Sequence, residues 1–102
     1  MSSQAGFAYI WRYRVDQQER REFEALYGPG GGWERLFSRS KEYLGTELLK
    51  SPDGSYVTVD RWTSRHSHRA FVKENRQEFD ALDRRGEALT RQEELIGEFT
   101  VL

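Results

Sequence analysis

The chain has 102 residues, which is enough for one hydrophobic core and too few for two. Its 16 Lys and Arg residues nearly balance its 17 Asp and Glu residues, which argues against the basic surface of a nucleic-acid-binding protein and against a polybasic membrane anchor. The absence of cysteine excludes a disulfide framework and a Cys-ligated metal site, and it favours a reducing compartment. We therefore expect one cytoplasmic domain over residues 1–102 that binds neither nucleic acid nor membrane.

Residues 1–6 contain no basic region followed by an apolar stretch, and no run in the chain approaches the roughly 20 apolar residues of a membrane span. The sequence thus predicts no targeting segment and no membrane helix. Aromatic residues make up 14% of a chain that is only 36% hydrophobic. Such rings favour pockets and subunit interfaces.

The first half of the chain predicts a strand, a helix and a glycine-rich loop. Residues 7–15 alternate in character and are strong strand formers. Asp16 is a candidate N-cap for a helix over about 17–27. Residues 28–32 contain four glycines and a proline and predict a loop, which is either a connector or a lid. The spacing of apolar residues over 33–37 then predicts one helical turn.

The second half predicts a hairpin, a long helix and a last strand. Strands over about 43–50 and 55–62 flank the turn at 51–54, whose Pro-Asp-Gly sequence is typical of a tight turn. Ser64 is a candidate N-cap for a helix over about 65–85, and Gly86 is expected to kink or end that helix. Residues 95–102 predict a final strand.

The predicted order β-α-β-β-α-β is typical of the ferredoxin-like α+β fold. In this fold a four-stranded antiparallel sheet carries two helices on one face. The other face of the sheet would be bare in a monomer, and an exposed apolar patch of that size is unusual. The pattern therefore predicts a homodimer in which two sheets pair.

Several spaced segments resemble a known family. They are the run 9–15, Phe23 with residues 26–28, the run 43–48, and residues 60–64 with Phe71. Together they are similar to the antibiotic biosynthesis monooxygenase (ABM) family of dimeric α/β barrels, from about residue 7 to residue 99. The resemblance implies a dimeric barrel fold and a small protein that binds a flat aromatic or polyketide-like molecule. One activity that it implies is that of a monooxygenase which needs no cofactor.

The haem-degrading branch of that family does not fit this sequence. That branch pairs a Trp at the end of strand three with a His about ten residues later and an Asn on strand one. Trp62 matches the Trp, but Val72 stands at the place of the His, and strand one has no Asn. The resemblance therefore points away from haem degradation.

Two polar residues interrupt the apolar stripe of the predicted second helix. His68 and Asn75 share the spacing of Phe71, Phe79 and Leu82. In a pocket, His68 would act as a base and Asn75 would orient a carbonyl or phenolate oxygen. The alternative is that His68 is a partly exposed first-turn residue and that Asn75 bonds neighbouring backbone.

Aromatic residues supply the other candidates. Trp62 is a candidate catalytic residue, and its alternative role is to fill the core between strand and helix. Tyr9, Trp11 and Tyr13 share one face of strand one and line either a sheet–helix cavity or the dimer interface. Phe71 and Trp33 are the other rings expected to contact a ligand.

Charged residues and possible metal ligands give weaker signals. Asp60 and Arg61 fall on opposite faces of strand three, and Arg12 or Arg14 is expected to form an ion pair with a strand carboxylate. Two histidines and no cysteine predict no metal site. The leading hypothesis is a dimeric aromatic-binding protein with cofactor-free oxygenase activity, and the alternative is a non-catalytic dimeric binding module.

Overall fold

The computed structural model describes residues 6–102, which form an antiparallel sheet with helices packed on one face. The strands are β1 Gly6–Arg14, β2 Tyr43–Lys50, β3 Tyr56–Trp62 and β4 Gln92–Val101, in the order β2-β3-β1-β4. This order is that of the split βαβ arrangement, so the predicted fold class is confirmed. Residues 1–5, over which the sequence predicts no targeting segment, lie outside the described residues.

The helices are shorter and more numerous than predicted. A 3-10 turn at Gln17–Glu19 precedes α1 Arg20–Tyr27, and α2 Gly32–Phe37 follows the glycine-rich loop. Asp16 occupies the N-cap position of the 3-10 turn, as predicted, but its side chain forms no capping hydrogen bond and lies 3.5 Å from the Arg91 guanidinium instead. Ser64 caps its helix as predicted, because its hydroxyl accepts a hydrogen bond from the Ser67 backbone N–H at 3.0 Å.

The predicted helix over 65–85 consists of two helices, α3 Arg65–Glu74 and α4 Arg76–Leu89. The break falls at Asn75, whose backbone has left the helical region at φ −118° and ψ 36°. Gly86 does not end α4, which continues to Leu89. It lies against Tyr27, whose hydroxyl oxygen is 2.1 Å from the position that a Cβ would occupy. Gly86 thus allows α4 to approach α1 closely.

The glycine-rich loop is a tight turn packed on α1. The Gly31 N–H donates to the Gly28 carbonyl at 2.9 Å, and the Gly30 N–H donates to the Glu34 carboxylate at 2.9 Å. A Cβ on Gly31 would lie 2.4 Å from the Ala25 carbonyl oxygen. Glycine is therefore required there by close backbone packing.

The core lies between the helices and the face of the sheet that they cover, which we call the inner face. Phe23, Leu26, Tyr56 and Trp62 are almost completely buried in it. The opposite face, which we call the outer face, carries apolar residues that remain partly or largely exposed. Examples are Ile10, Leu49, Val57, Val59 and Phe99. None of the helices within residues 6–102 has the length and apolar character needed to cross a membrane.

Candidate ligand-binding site

A cavity of about 210 Å³ lies between the helices and the inner face of the sheet and is open on one side. Both central strands, both edge strands and all four helices contribute to its wall. Seven aromatic rings line it: Tyr9, Trp11, Tyr13, Tyr27, Trp33, Phe37 and Phe79.

These rings are held in place by packing against one another. The Tyr13 ring lies 5.0 Å from the Tyr27 ring and 5.2 Å from the buried Phe23 ring, measured between centroids. The Tyr13 hydroxyl is also hydrogen-bonded to the Thr58 hydroxyl at 3.2 Å. Centroid separations of this size are typical of favourable aromatic pairs, so much of the wall is preorganised.

Asp60 brings a carboxylate to the inner end of this cavity. It lies on β3 between the inward-facing Thr58 and Trp62, and only 7% of its surface is exposed. The Thr46 hydroxyl donates a hydrogen bond to Asp60 Oδ1 and is itself bonded to the Tyr43 hydroxyl. Within residues 6–102 no Lys, Arg or His lies within ion-pair distance of Asp60. Burial raises the pKa of Asp60 to about 6, and the Thr46 hydrogen bond opposes that shift.

Tyr9 stands directly opposite Asp60 in the pairing of β1 with β3. Burial raises the pKa of the Tyr9 hydroxyl well above its usual value, and the nearby Asp60 charge raises it further. The Trp62 indole N–H lies close enough to lower that pKa slightly, but it forms no hydrogen bond with any described residue. Tyr9 is therefore a neutral hydroxyl beside the carboxylate.

His68 packs among aromatic rings at the same end of the cavity. Its ring centroid lies 4.7 Å from that of Tyr9 and 5.1 Å from that of Trp62. Burial lowers the pKa of His68 to about 4, partly offset by the charge of Glu98. The imidazole is therefore neutral at neutral pH and is a weaker base than the sequence suggested.

The structure brings five of the predicted site residues to the cavity, namely Tyr9, Trp11, Tyr13, Trp33 and His68. Of the two alternatives for the rings of β1, a sheet–helix cavity or a dimer interface, the structure shows the first, since these rings line the sheet–helix cavity. Trp62 and Phe71 are buried in the core behind the wall. Asn75 donates to the Phe71 carbonyl at 2.9 Å, so it bonds backbone at the helix break and does not line the cavity.

Sequence reasoning missed Asp60 as a cavity residue. The sequence predicts only that Asp60 and Arg61 fall on opposite faces of the strand and that Arg12 or Arg14 pairs with a strand carboxylate. The expected ion pair of Arg12 forms instead with Asp53 in the turn, at 3.7 Å. The signal for Asp60 was present in the alternation of β3, where an acidic residue occupies the same face as Tyr56 and Trp62.

Proteins named as antibiotic biosynthesis monooxygenases have this fold, so the resemblance seen in the sequence is confirmed at the level of the fold. SnoaB of Streptomyces nogalater, a cofactor-independent oxygenase solved as a variant, is 24% identical, with 94% of this chain and 92% of that chain covered at a TM-score of 0.74. The ActVA-Orf6 monooxygenase of Streptomyces coelicolor, solved with nanaomycin D, is 17% identical, with coverage of 97% and 89% and a TM-score of 0.78.

The same fold occurs in proteins without an assigned role. A protein of unknown function from Nitrosomonas europaea is 14% identical, with coverage of 99% and 93% and a TM-score of 0.69. No family model matches the chain, and no curated protein matches it. The likeness therefore establishes the fold alone, since one fold serves many functions.

Asp60 and His68 are expected to have opposite effects on stability between about pH 4 and pH 6. The folded state holds the Asp60 proton more tightly than the unfolded chain, so Asp60 destabilises the fold progressively as pH rises from about 4 to about 6. The folded state resists protonation of His68, so His68 destabilises the fold as pH falls from about 6.5 to about 4. We predict that D60N raises the free energy of unfolding near pH 7.5 by up to about 3 kcal/mol, with no gain near pH 4.

Urea denaturation over this pH range measures the difference between variant and parent. H68F keeps the ring contacts and serves as the matched control, since its gain should appear at the acidic end and vanish near neutral pH. An equal effect of D60N at both ends of the range would show that Asp60 is not a buried titrating group.

Proposed function

We propose that this cavity binds a flat aromatic or polyketide-like small molecule. The observation that carries the proposal is a wall of seven rings around a space with a single deeply buried carboxylate. Aromatic walls with a few placed polar groups are typical of ligand sites. An apolar cavity of about 150 Å³ takes up benzene, so about 210 Å³ suits a somewhat larger ring system. The open side leaves room for a ligand to protrude.

The named relatives support the same kind of ligand. ActVA-Orf6 is a monooxygenase solved with nanaomycin D, and SnoaB is a cofactor-independent oxygenase. This chain aligns with 92% of SnoaB and with 89% of ActVA-Orf6. A cofactor-free oxygenation of a reduced phenol is therefore the reaction that we propose for this cavity.

Asp60 is the group that we assign to the first step of that reaction. A phenolic O–H bond breaks, its proton passes to the Asp60 carboxylate, and the electron pair stays on the ligand oxygen as a phenolate. A base with a pKa near the working pH is well suited to such a transfer. The electron-rich phenolate then reduces molecular oxygen, which is the co-reactant, and a ring carbon forms a C–O bond to give a peroxide that takes back the proton from Asp60. Cleavage of the O–O bond with loss of the hydrogen on that carbon releases water and leaves a carbonyl, so that one phenol and one O2 give one quinone and one water. His68, Tyr9 and Tyr13 line the cavity as neutral polar groups.

The outer face of the sheet supports a homodimer. Leu49 is 49% exposed and Phe99 is 45% exposed, and Ile10 and Val59 lie between them on the central strands. Pairing two such faces would bury these apolar side chains, as in sheet-on-sheet packing. We propose that two copies of the chain associate through this face.

Oxygen uptake with anthrone- and naphthol-type phenols tests the reaction. We expect turnover by the parent protein and a loss of rate of more than tenfold in D60N, with ligand affinity changed much less, because the variant keeps the shape of the side chain but cannot accept the proton. Tryptophan fluorescence quenching measures the affinity. D80N, which removes a carboxylate outside the cavity wall, is the control.

Two results would count against this proposal. Binding without any oxygen uptake would favour the non-catalytic binding module. A D60N variant that retains the full rate would remove Asp60 from the mechanism.

Sedimentation velocity tests the dimer. We predict a dimer for the parent chain and a monomer for V59D, because the variant places a charge among the apolar side chains of the outer face, where dimerisation would remove it from water. A81D, on the exposed side of α4, is the matched control and should remain dimeric. A parent protein that sediments only as a monomer would contradict the assembly.

A further inference from the structure

Strand β2 contains a bulge where it runs beside the inner end of the cavity. The register of its pairing with β3 shifts between Tyr43 and Gly45, so Leu44 is an extra residue on β2, and its side chain is 60% exposed. Gly45 has a positive φ of 136°, and a Cβ there would have no atom within 4 Å. Glycine is therefore needed at this position for the backbone conformation of the bulge and not for space.

The bulge brings two hydroxyl groups to the same face of the sheet. Residues three apart in a regular strand point to opposite faces, but here Tyr43 pairs with Trp62 and Thr46 pairs with Asp60. Trp62 and Asp60 both lie on the inner face. Tyr43 and Thr46 therefore also lie on the inner face, and bulges are frequent next to active sites.

Hydrogen bonds join Tyr43, Thr46 and Asp60 in one chain. The Thr46 hydroxyl donates to Asp60 Oδ1, and a hydroxyl has a single proton to donate. Thr46 must therefore accept a hydrogen bond from the Tyr43 hydroxyl, to which it is also bonded. Burial raises the pKa of Tyr43, so that hydroxyl keeps its proton. The Tyr43 ring is fixed in turn by packing against the Trp62 ring, with 5.3 Å between the centroids.

The two carboxyl oxygens of Asp60 have different surroundings. Oδ1 accepts a hydrogen bond from Thr46, whereas Oδ2 accepts none from any of residues 6–102. The side-chain atoms in that part of the chain that are closed off from solvent without a partner belong to Arg20, Trp33 and Trp62. Oδ2 is therefore not closed off from the cavity that Asp60 lines, and it is the oxygen left for a ligand.

The other titratable side chains of the cavity wall form no hydrogen bond with Asp60 within the described residues. His68 on α3 is neutral because burial lowers its pKa, and the tyrosines are neutral because burial raises theirs. Ionised carboxylates have no proton to donate. The tyrosines and carboxylates are Tyr9 and Tyr13 on β1, Tyr27 on α1, Asp83 on α4, and Glu93 and Glu98 on β4.

We propose that Thr46, oriented by Tyr43, positions Asp60 for the reaction by holding Oδ1 in a hydrogen bond, so that the phenol proton is taken up and returned at Oδ2. In this step the O–H bond of the ligand breaks and an Oδ2–H bond forms, while Thr46 keeps its own proton. The Oδ2 proton then passes back to the peroxide. The inference rests on the proposed function, because it assigns two positioning residues to the reaction proposed for Asp60.

T46V tests the role of Thr46, because valine keeps the shape of the side chain and removes the hydroxyl. A hydrogen bond to the ionised form lowers the pKa of a carboxyl. Its loss should move the acid limb of the profile of kcat/KM against pH upward by about one pH unit or more. Above that limb, kcat should fall severalfold with KM nearly unchanged, because the carboxylate is no longer held in place. Y43F should give a smaller shift in the same direction.

Carbon-13 NMR of the Asp60 carboxyl in ligand-free T46V should show the same upward shift without any need for turnover. T46S keeps the hydroxyl and should restore the parent pH profile and most of the rate. T63V removes a threonine hydroxyl outside the cavity wall and is the matched control, which should keep the parent profile.

A T46V variant whose acid limb and kcat match those of the parent would overturn this inference and leave the proposed reaction in place. The same shift in T63V would also overturn it, because the effect would then not depend on contact with Asp60. A parent protein that takes up no oxygen with any phenol would overturn the proposed reaction and this inference together.

Discussion

The burial of Asp60 on the helix-facing side of a central strand is the constraint on which the account of this protein depends. Removing a carboxylate from water costs several kcal/mol unless it gains partners. Here the one described hydrogen bond comes from Thr46, and no described cation compensates the charge. A well-packed apolar residue at this position would give a more stable fold. We therefore attribute the carboxylate at this position to the chemistry that we propose for the cavity.

The surrounding rings give that carboxylate its properties. Phe23, Tyr27 and Phe37 hold the cavity wall by packing into the core. Asp60 is buried at the inner end of this cavity, and His68 is partly buried there. Exclusion of water shifts the two groups in opposite directions, since it raises the pKa of the acid and lowers that of the imidazole. At the inner end of the cavity, burial therefore controls whether the acid and the imidazole carry a proton. The open side of the cavity differs, because the carboxylates of Asp83 and Glu93 lie near solvent there.

Much of the fold was predictable from the sequence, because it follows from alternation and turn chemistry. The strands and their order, the Ser64 cap and the apolar outer face all follow from local patterns. The break at Asn75 was missed because the apolar spacing of Phe71, Phe79 and Leu82 continues across it. The site was only partly predictable. The rings of β1 were identified, but the role of Asp60 depends on which strand lies at the centre and which face the helices cover.

A site-resolved titration of the Asp60 side-chain carboxyl tests most directly whether this carboxylate is buried without a compensating cation. Carbon-13 NMR of the carboxyl group, assigned by its absence in D60N, follows protonation at this one residue as pH is changed. We predict a midpoint near 6 in the ligand-free protein. A midpoint at or below about 4, the ordinary value for an aspartate, would show that the carboxylate is solvated or paired with a cation and would contradict the account.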